Sequence, residues 1–360
     1  MTDGNSVEHL SVVMTTETDI DITQATTANV MTWSSSGIEL YFQCAVVVIG
    51  VVGTAANALI LYAMVASKQH KKHVLIFNQN ALDFLSCLFL VITYTLKLCN
   101  IHLTGLAGYW LCILILSENL IWCAILASKT NLVFLTIERY LKVVYPIWSK
   151  NKLRNWMTYS AMAFAWISGF VHHTALAIST SDVIEGECYA GVFWISREWQ
   201  LAHGMFTVLV FYVAIVIFVS FCYVRILIAI RRQAKTIANH GASASSTAQT
   251  QSHQIQTNVI KTMILVTAFY IISDMPVNAY YMILNVNENL TLLESGWYAS
   301  LFIFFFYFCA NPFIYAAKFN PVKQILLRMI PCMKTPVQPF VSIQVASAPF
   351  AATSTDQKHN

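Results

Sequence analysis

The chain has 360 residues, of which 57% are hydrophobic and 11% charged, with a net charge of +4. A soluble domain carries about a quarter charged residues to cover its surface, so with a mean hydropathy of +0.59 a water-exposed globule is excluded. The net charge by itself says little, and no nucleic-acid partner is expected.

No Lys or Arg precedes Lys68, whereas the first 37 residues hold Asp3, Glu8, Glu17, Asp19 and Asp21. This polar, Thr-rich stretch has no apolar h-region, so it does not read as a cleavable signal peptide. Seven apolar blocks follow, at Tyr41–Ala66, Val74–Leu98, Tyr109–Val144, Trp156–Ile178, Leu201–Ile230, Val259–Leu284 and Trp297–Ala317. Each is long enough to cross a hydrocarbon core of about 30 Å as helix. Lipid offers backbone groups no hydrogen bonds, so the blocks must be helical. Asn320–Ile330 then places Ile325, Leu326 and Met329 on one face with Lys323 and Arg328 elsewhere, the pattern of a helix lying on a membrane. The expected fold is all-α, a seven-transmembrane helix bundle with a short cytoplasmic amphipathic helix. Its parts are a disordered extracellular N-terminus (1–40), the bundle (41–318), the amphipathic helix (319–332) and a disordered cytoplasmic tail (333–360).

Lys/Arg asymmetry orients the bundle. Lys68, Lys71 and Lys72 follow span one; Lys142, Lys150, Lys152 and Arg154 follow span three. Arg231, Arg232 and Lys235 follow span five, and Lys318, Lys323, Arg328 and Lys334 follow span seven. The opposite side holds Lys97 and Arg197 against Asp182, Glu185, Glu187, Glu198, Glu288 and Glu294. The expectation is a multi-pass plasma-membrane protein with its N-terminus outside. Asn289-Leu-Thr291 is then an external glycosylation sequon or a chance match close to the membrane. The inner stretch Asn239–His253, rich in Gly, Ala, Ser, Thr and Gln, reads as a flexible linker.

Nine cysteines show no metal-type spacing. Cys44, Cys87, Cys123, Cys222 and Cys309 sit in apolar blocks as small hydrophobes, leaving Cys99, Cys112 and Cys188 as the disulfide candidates.

Short motifs decide among seven-span classes. Span three ends in Glu138-Arg139-Tyr140, with Pro146 seven residues beyond the arginine. A guanidinium there can be held by a neighbouring carboxylate until a partner takes it; an arginine snorkelling to headgroups gives the same tripeptide. Span seven ends Asn311-Pro312-Phe313-Ile314-Tyr315. Pro312 frees a carbonyl, and Asn311 is expected to satisfy it. Asn57, Asn80-Ala-Leu-Asp83-Phe, Trp166 and Tyr223 stand in spans one, two, four and five. From Tyr41 to Cys332 the chain resembles the rhodopsin-like (class A) G-protein-coupled receptors, without a clear subfamily. The resemblance implies an extracellular ligand, a heterotrimeric G protein, arrestin, a receptor kinase and membrane lipid as partners. It implies coupling and switching by Glu138, Arg139, Tyr140, Tyr223, Asn311, Pro312 and Tyr315. It also implies a sodium-holding polar core of Asn57, Asp83, Ser128 and Asn311, with a protonated or hydrogen-bonded structural Asp83 as the alternative. Sodium would be the sole metal or cofactor. Cys112–Cys188 resembles the family's bridge, with Cys99–Cys188 competing; Cys112 lies two residues further from Arg139 than is usual there, so irregular outer turns are expected in span three. Cys332 resembles a palmitoylation site, or is a free thiol.

The chain departs from the family at three places. In span six, Phe269-Tyr270-Ile-Ile-Ser273-Asp274-Met275-Pro276 puts Asp274 where a tryptophan is usual; Ile215 replaces a mid-helix proline in span five, and Lys129 an aliphatic residue in span three. Lys129 lies ten residues above Arg139, about 15 Å deeper at 1.5 Å per residue. An unpaired ammonium there would cost several kcal/mol. A buried Lys129–Asp274 pair is therefore expected as the transmission pair, against separate pairing of Lys129 with carbonyls or Asp83. Residues 233–273 contain no Asp or Glu, so Arg139 lacks the span-six carboxylate of many relatives. Gln254 or Gln256 would hold it more weakly, and appreciable basal signalling is expected.

Opsins need a lysine in span seven for a Schiff base; Phe305 stands near that position and the span has none, which argues against a light receptor. The acid-rich outer loops, Glu118, Asn119 and the aromatics Tyr280, Tyr281, Trp297 and Tyr298 fit a peptide or other cationic ligand. A biogenic-amine or other small-molecule receptor is the alternative. His172-His173 reads as packing in span four rather than a metal site. A transporter would show internal repeats, and a membrane hydrolase a nucleophile motif such as GxSxG or HExxH; neither is found, and no enzyme is expected.

Overall fold

The computed structural model describes residues 37–239, 244–286, 294–318 and 320–329. Among them, seven helices are long and apolar enough to cross a membrane: Gly37–Ala66, Val74–Leu98, Gly105–Val144, Asn155–Thr180, Arg197–Lys235, Thr257–Ile283 and Ser295–Ala317. They are called spans one to seven. The usual burial pattern is inverted: Tyr62, Ile167, Ile217, Ile272 and Phe313 are exposed, while Asn57, Asp83, Ser128, Asp274 and Asn311 are buried. That is the arrangement lipid demands, because polar groups must find partners inside the bundle.

Where apolar surface gives helices no reason to leave lipid, close packing draws them together. Gly169 on span four lies so near the Cys123 carbonyl and Ala127 on span three that a Cβ would not fit. Gly53 on span one plays the same part, seated between Cys87 and Cys309.

Spans three and five are interrupted. In span three, a helix at Gly105–Leu111 passes through a wide π-type turn at Cys112–Leu116 and breaks at Ser117–Glu118 before the helix Asn119–Val144. Glu118 sits at φ 63°, a left-handed conformation uncommon outside glycine. The expected irregularity of the outer turns lies here. Span five has its own wide turn at Leu209–Ala214, immediately before Ile215, so the bulge forms without a proline.

A two-stranded hairpin lies between spans four and five, β1 (Asp182–Ile184) antiparallel to β2 (Glu187–Tyr189) with Val183 opposite Cys188. Glu185 and Gly186 both have positive φ, as a two-residue type I′ loop requires. This register sets Cys188 against Cys112, with Cα atoms 5.4 Å apart in a disulfide. Cys99 is a free, exposed thiol, and the alternative pairing is discarded.

The sixth helix starts at Ala244 and runs to Val286. The stretch 244–253 is therefore helix, not the flexible linker expected from composition. Ala and Gln are good helix formers, and neither Gly nor Pro occurs between Ala244 and Pro276. Beyond span seven, Asn320–Met329 is a further helix, with Val322 buried, Ile325 and Leu326 packed on the core and Lys323 exposed.

Candidate functional site

A cavity of about 1040 Å³ lies at the disulfide-bearing end of the bundle, lined from every direction by spans one to seven and by β2. Two ion pairs form part of its wall. Near its mouth, Lys97 Nζ stands 2.5 Å from Glu118 Oε1, to which the Tyr94 hydroxyl also donates at 2.9 Å. In the middle of the spans, Lys129 Nζ donates to Asp274 Oδ2 at 2.9 Å and Oδ1 at 3.2 Å. Tyr270, one turn before Asp274 on span six, donates its hydroxyl to Oδ2 at 2.8 Å. The ammonium also faces the rings of Phe304 and Tyr270, at 5.2 and 5.7 Å from their centroids. Each charge thus has a counter-charge and a polarisable wall, which is what a low-dielectric interior requires.

Below the cavity lies a chain of buried polar contacts. Asp83 accepts from Ser128 at 3.0 Å and Gln79 at 3.2 Å on one oxygen, and from Asn311 at 2.6 Å on the other. Gln79 in turn bonds the Ser128 hydroxyl and accepts from Asn131 at 2.8 Å. Asn131 accepts from Asn78, whose carbonyl oxygen takes the indole N–H of Trp166. Spans two, three, four and seven are stitched together by this one network.

At the far end, Arg139 Nη2 lies 3.1 Å from His73 Nδ1 and 3.5 Å from Glu138 Oε2. Glu138 Oε1 is drawn to Lys142 at 2.6 Å, one turn along. The Tyr223 hydroxyl reaches Thr136 on span three (3.4 Å) and Thr267 on span six (3.1 Å). Tyr315 is buried with its hydroxyl unpartnered, and Tyr140 packs its ring on Tyr145 at 5.8 Å.

The bundle thus has an inverted burial pattern, a disulfide-tied cavity at one end and Arg139 with His73 and Glu138 at the other. Residues 56–315 match the family "7 transmembrane receptor (rhodopsin family)". The chain belongs to this family. It is a family of signalling receptors, not of enzymes. The receptor is also similar to Melanopsin-A of Gadus morhua, 22% identical over 300 residues (80% of the receptor, 52% of that protein). Melanopsin-B of the same fish is 22% identical over 315 residues (84% and 50%). The receptor spans about half the length of these curated relatives.

Four sequence expectations about site residues need correction. Asn57 makes no hydrogen bond to Asp83: its amide donates to the Gly53 carbonyl at 3.0 Å and to the Phe308 carbonyl at 3.2 Å, and its Oδ1 is buried and unpartnered. Phe308 is four residues before Pro312, so the carbonyl that proline frees is satisfied by Asn57, not by Asn311, whose amide is on Asp83. Asn119 does not line the cavity: its amide bonds Thr174 on span four at 3.2 Å, because the break at Glu118 resets the helical face. Tyr280 also lies outside the lining, with its hydroxyl over Gly296. Glu118, Tyr281, Trp297 and Tyr298 do line it.

A small monovalent cation at Asp83 would be held by its carboxylate and the Ser128 hydroxyl; Asn311 and Asn57 each keep a buried, unpartnered Oδ1. His172 stacks on His203 of span five, and His173 on Trp122. Among the described residues no cluster of three or more His, Cys, Asp or Glu is set to hold a metal. Gln254 is exposed; the Gln256 side chain, Asn289 and Cys332 lie outside what the structure describes.

Sequence reading missed Gln79, His73 and the partnership of Lys97 with Glu118. Gln79 had a signal, since it precedes Asp83 by one helical turn. His73 had none, because it stands in a basic turn that reads as a topology marker.

Proposed function

We propose that the receptor takes a ligand in the cavity at its extracellular end and transmits the event, by helix rearrangement, to a cytoplasmic heterotrimeric G protein at Arg139. The N-terminus is outside, as the Lys/Arg asymmetry requires. The observation that carries the reading is the Lys129–Asp274 pair, which belongs both to the cavity wall and to the contact between spans three and six. A ligand that alters this pair alters how those spans meet, and a packed, bistable interface can carry that change to the far end.

The ligand we infer is a peptide or other cationic molecule. Glu118 is not its anchor, being already neutralised by Lys97. Glu39 and Glu187 also line the cavity, and neither forms an ion pair among the described residues. Their charge is uncompensated and draws a cation to the mouth. The likeness to melanopsins does not favour a Schiff-base ligand in span seven, since Ser295–Ala317 contains no lysine. In the resting state a sodium ion would be held by Asp83, Ser128 and Asn311.

The test is guanine-nucleotide exchange on co-expressed G proteins, with peptides and amines screened against surface-expressed receptor. Exchange driven by a cationic ligand, weakened by Glu39→Gln with Glu187→Gln, supports the reading. Solute uptake without exchange on any G protein would sink it and favour a transporter.

A further inference from the structure

Span six offers no acid to hold Arg139, and Glu138 is shared with Lys142. We propose that His73 is the positioning residue for Arg139, its Nδ1 holding the guanidinium at the mouth of span two while the receptor rests. This rests on the reading that Arg139 is the G-protein-facing switch.

The geometry is direct. Arg139 Nη2 approaches His73 Nδ1 to 3.1 Å, closer than its 3.5 Å to Glu138. The ring stands on a fixed platform: the His73 N–H donates to the Gln69 carbonyl at 2.9 Å, and its own carbonyl accepts from Phe77 at 3.0 Å. His73 is thus the N-cap of span two, and its imidazole reaches across to Arg139 on span three.

The chemistry suits the task. Burial, and then the Arg139 charge, push the imidazole pKa down to about 4, so the ring is neutral at cytosolic pH. With its proton on Nε2, Nδ1 presents a lone pair to the guanidinium. A neutral acceptor holds a cation less firmly than a carboxylate does. The resting state is thus biased rather than locked, which agrees with the basal signalling expected from the sequence. Arg139 Nε is buried without a partner, so the guanidinium has a bonding site still to fill when it leaves His73.

Two readouts test this. The first is ligand-free nucleotide exchange per surface receptor. The second is the distance between spin labels at Lys152→Cys and Lys261→Cys, both exposed positions, in a Cys44→Ser, Cys99→Ser, Cys332→Ser background. His73→Leu, or His73→Met should leucine fold poorly, removes the acceptor. It should shift the resting equilibrium toward the open state about tenfold, the worth of one hydrogen bond to a charged group. Exchange rises and the label distance lengthens. His73→Asn keeps an acceptor oxygen near the Nδ1 position and should stay near wild type. An apolar variant with wild-type exchange and distances overturns the proposal, and so does an asparagine variant as open as leucine. Should wild type drive exchange on no G protein, the receptor reading fails, while the label distances still decide the role of His73.

Discussion

Lys129 of span three and Asp274 of span six meet at 2.9 Å in the middle of the bundle, with the lysine 11% and the aspartate 1% exposed. Tyr270 completes the site by donating to the same carboxylate. By the resemblance of the sequence, Asp274 stands where a tryptophan is usual and Lys129 where an aliphatic residue is usual, and here the two form an ion pair.

Removing one partner strands the other charge. Lys129→Met alone should destabilise the receptor by about 3–5 kcal/mol, whereas Lys129→Met with Asp274→Asn should recover most of that loss. Thermal unfolding of purified receptor and surface expression measure both. Equal stability of the single and double variants would show that the two residues are not coupled.

Asn57 and Pro312 form a second coupled pair, through the carbonyl of Phe308. Asn57→Ala should cost about 1–3 kcal/mol, because a buried carbonyl loses its partner. In a Pro312→Ala background the helix supplies its own N–H to that carbonyl, so Asn57→Ala should cost less there. A double-mutant cycle in melting temperature isolates the term, and additivity would refute the assignment.

The Asp83 site predicts sodium dependence. Exchanging potassium for sodium at constant ionic strength should raise the melting temperature of wild type, as any ion bound only by the folded state does. Asp83→Asn should abolish the shift and Asn57→Ala should leave it. A response that survives Asp83→Asn would place the ion elsewhere.

The Cys112–Cys188 bridge closes a sequence separation of 76 residues, and its loss should cost about 4 kcal/mol. Cys188→Ser should therefore reduce surface expression sharply while Cys99→Ser has little effect. Comparable losses from both would mean that Cys99 also pairs.

Membrane crossing, the number of spans and the family were legible in the sequence alone, for one physical reason. A bilayer imposes length and polarity on each helix separately, so every span carries its own evidence, and Glu138-Arg139-Tyr140 and Asn311-Pro312 mark helix ends locally. The Lys129–Asp274 pair was also within reach, because an isolated charge at that depth demands a counter-charge. Which neighbour satisfies a polar group was not legible. Asn57 rather than Asn311 takes the carbonyl freed by Pro312, Lys97 rather than a ligand takes Glu118, and His73 takes Arg139. Each choice depends on the rotation and approach of two helices, set in span three by one left-handed residue, Glu118, whose effect on the facing of every later side chain exists only once the bundle is packed.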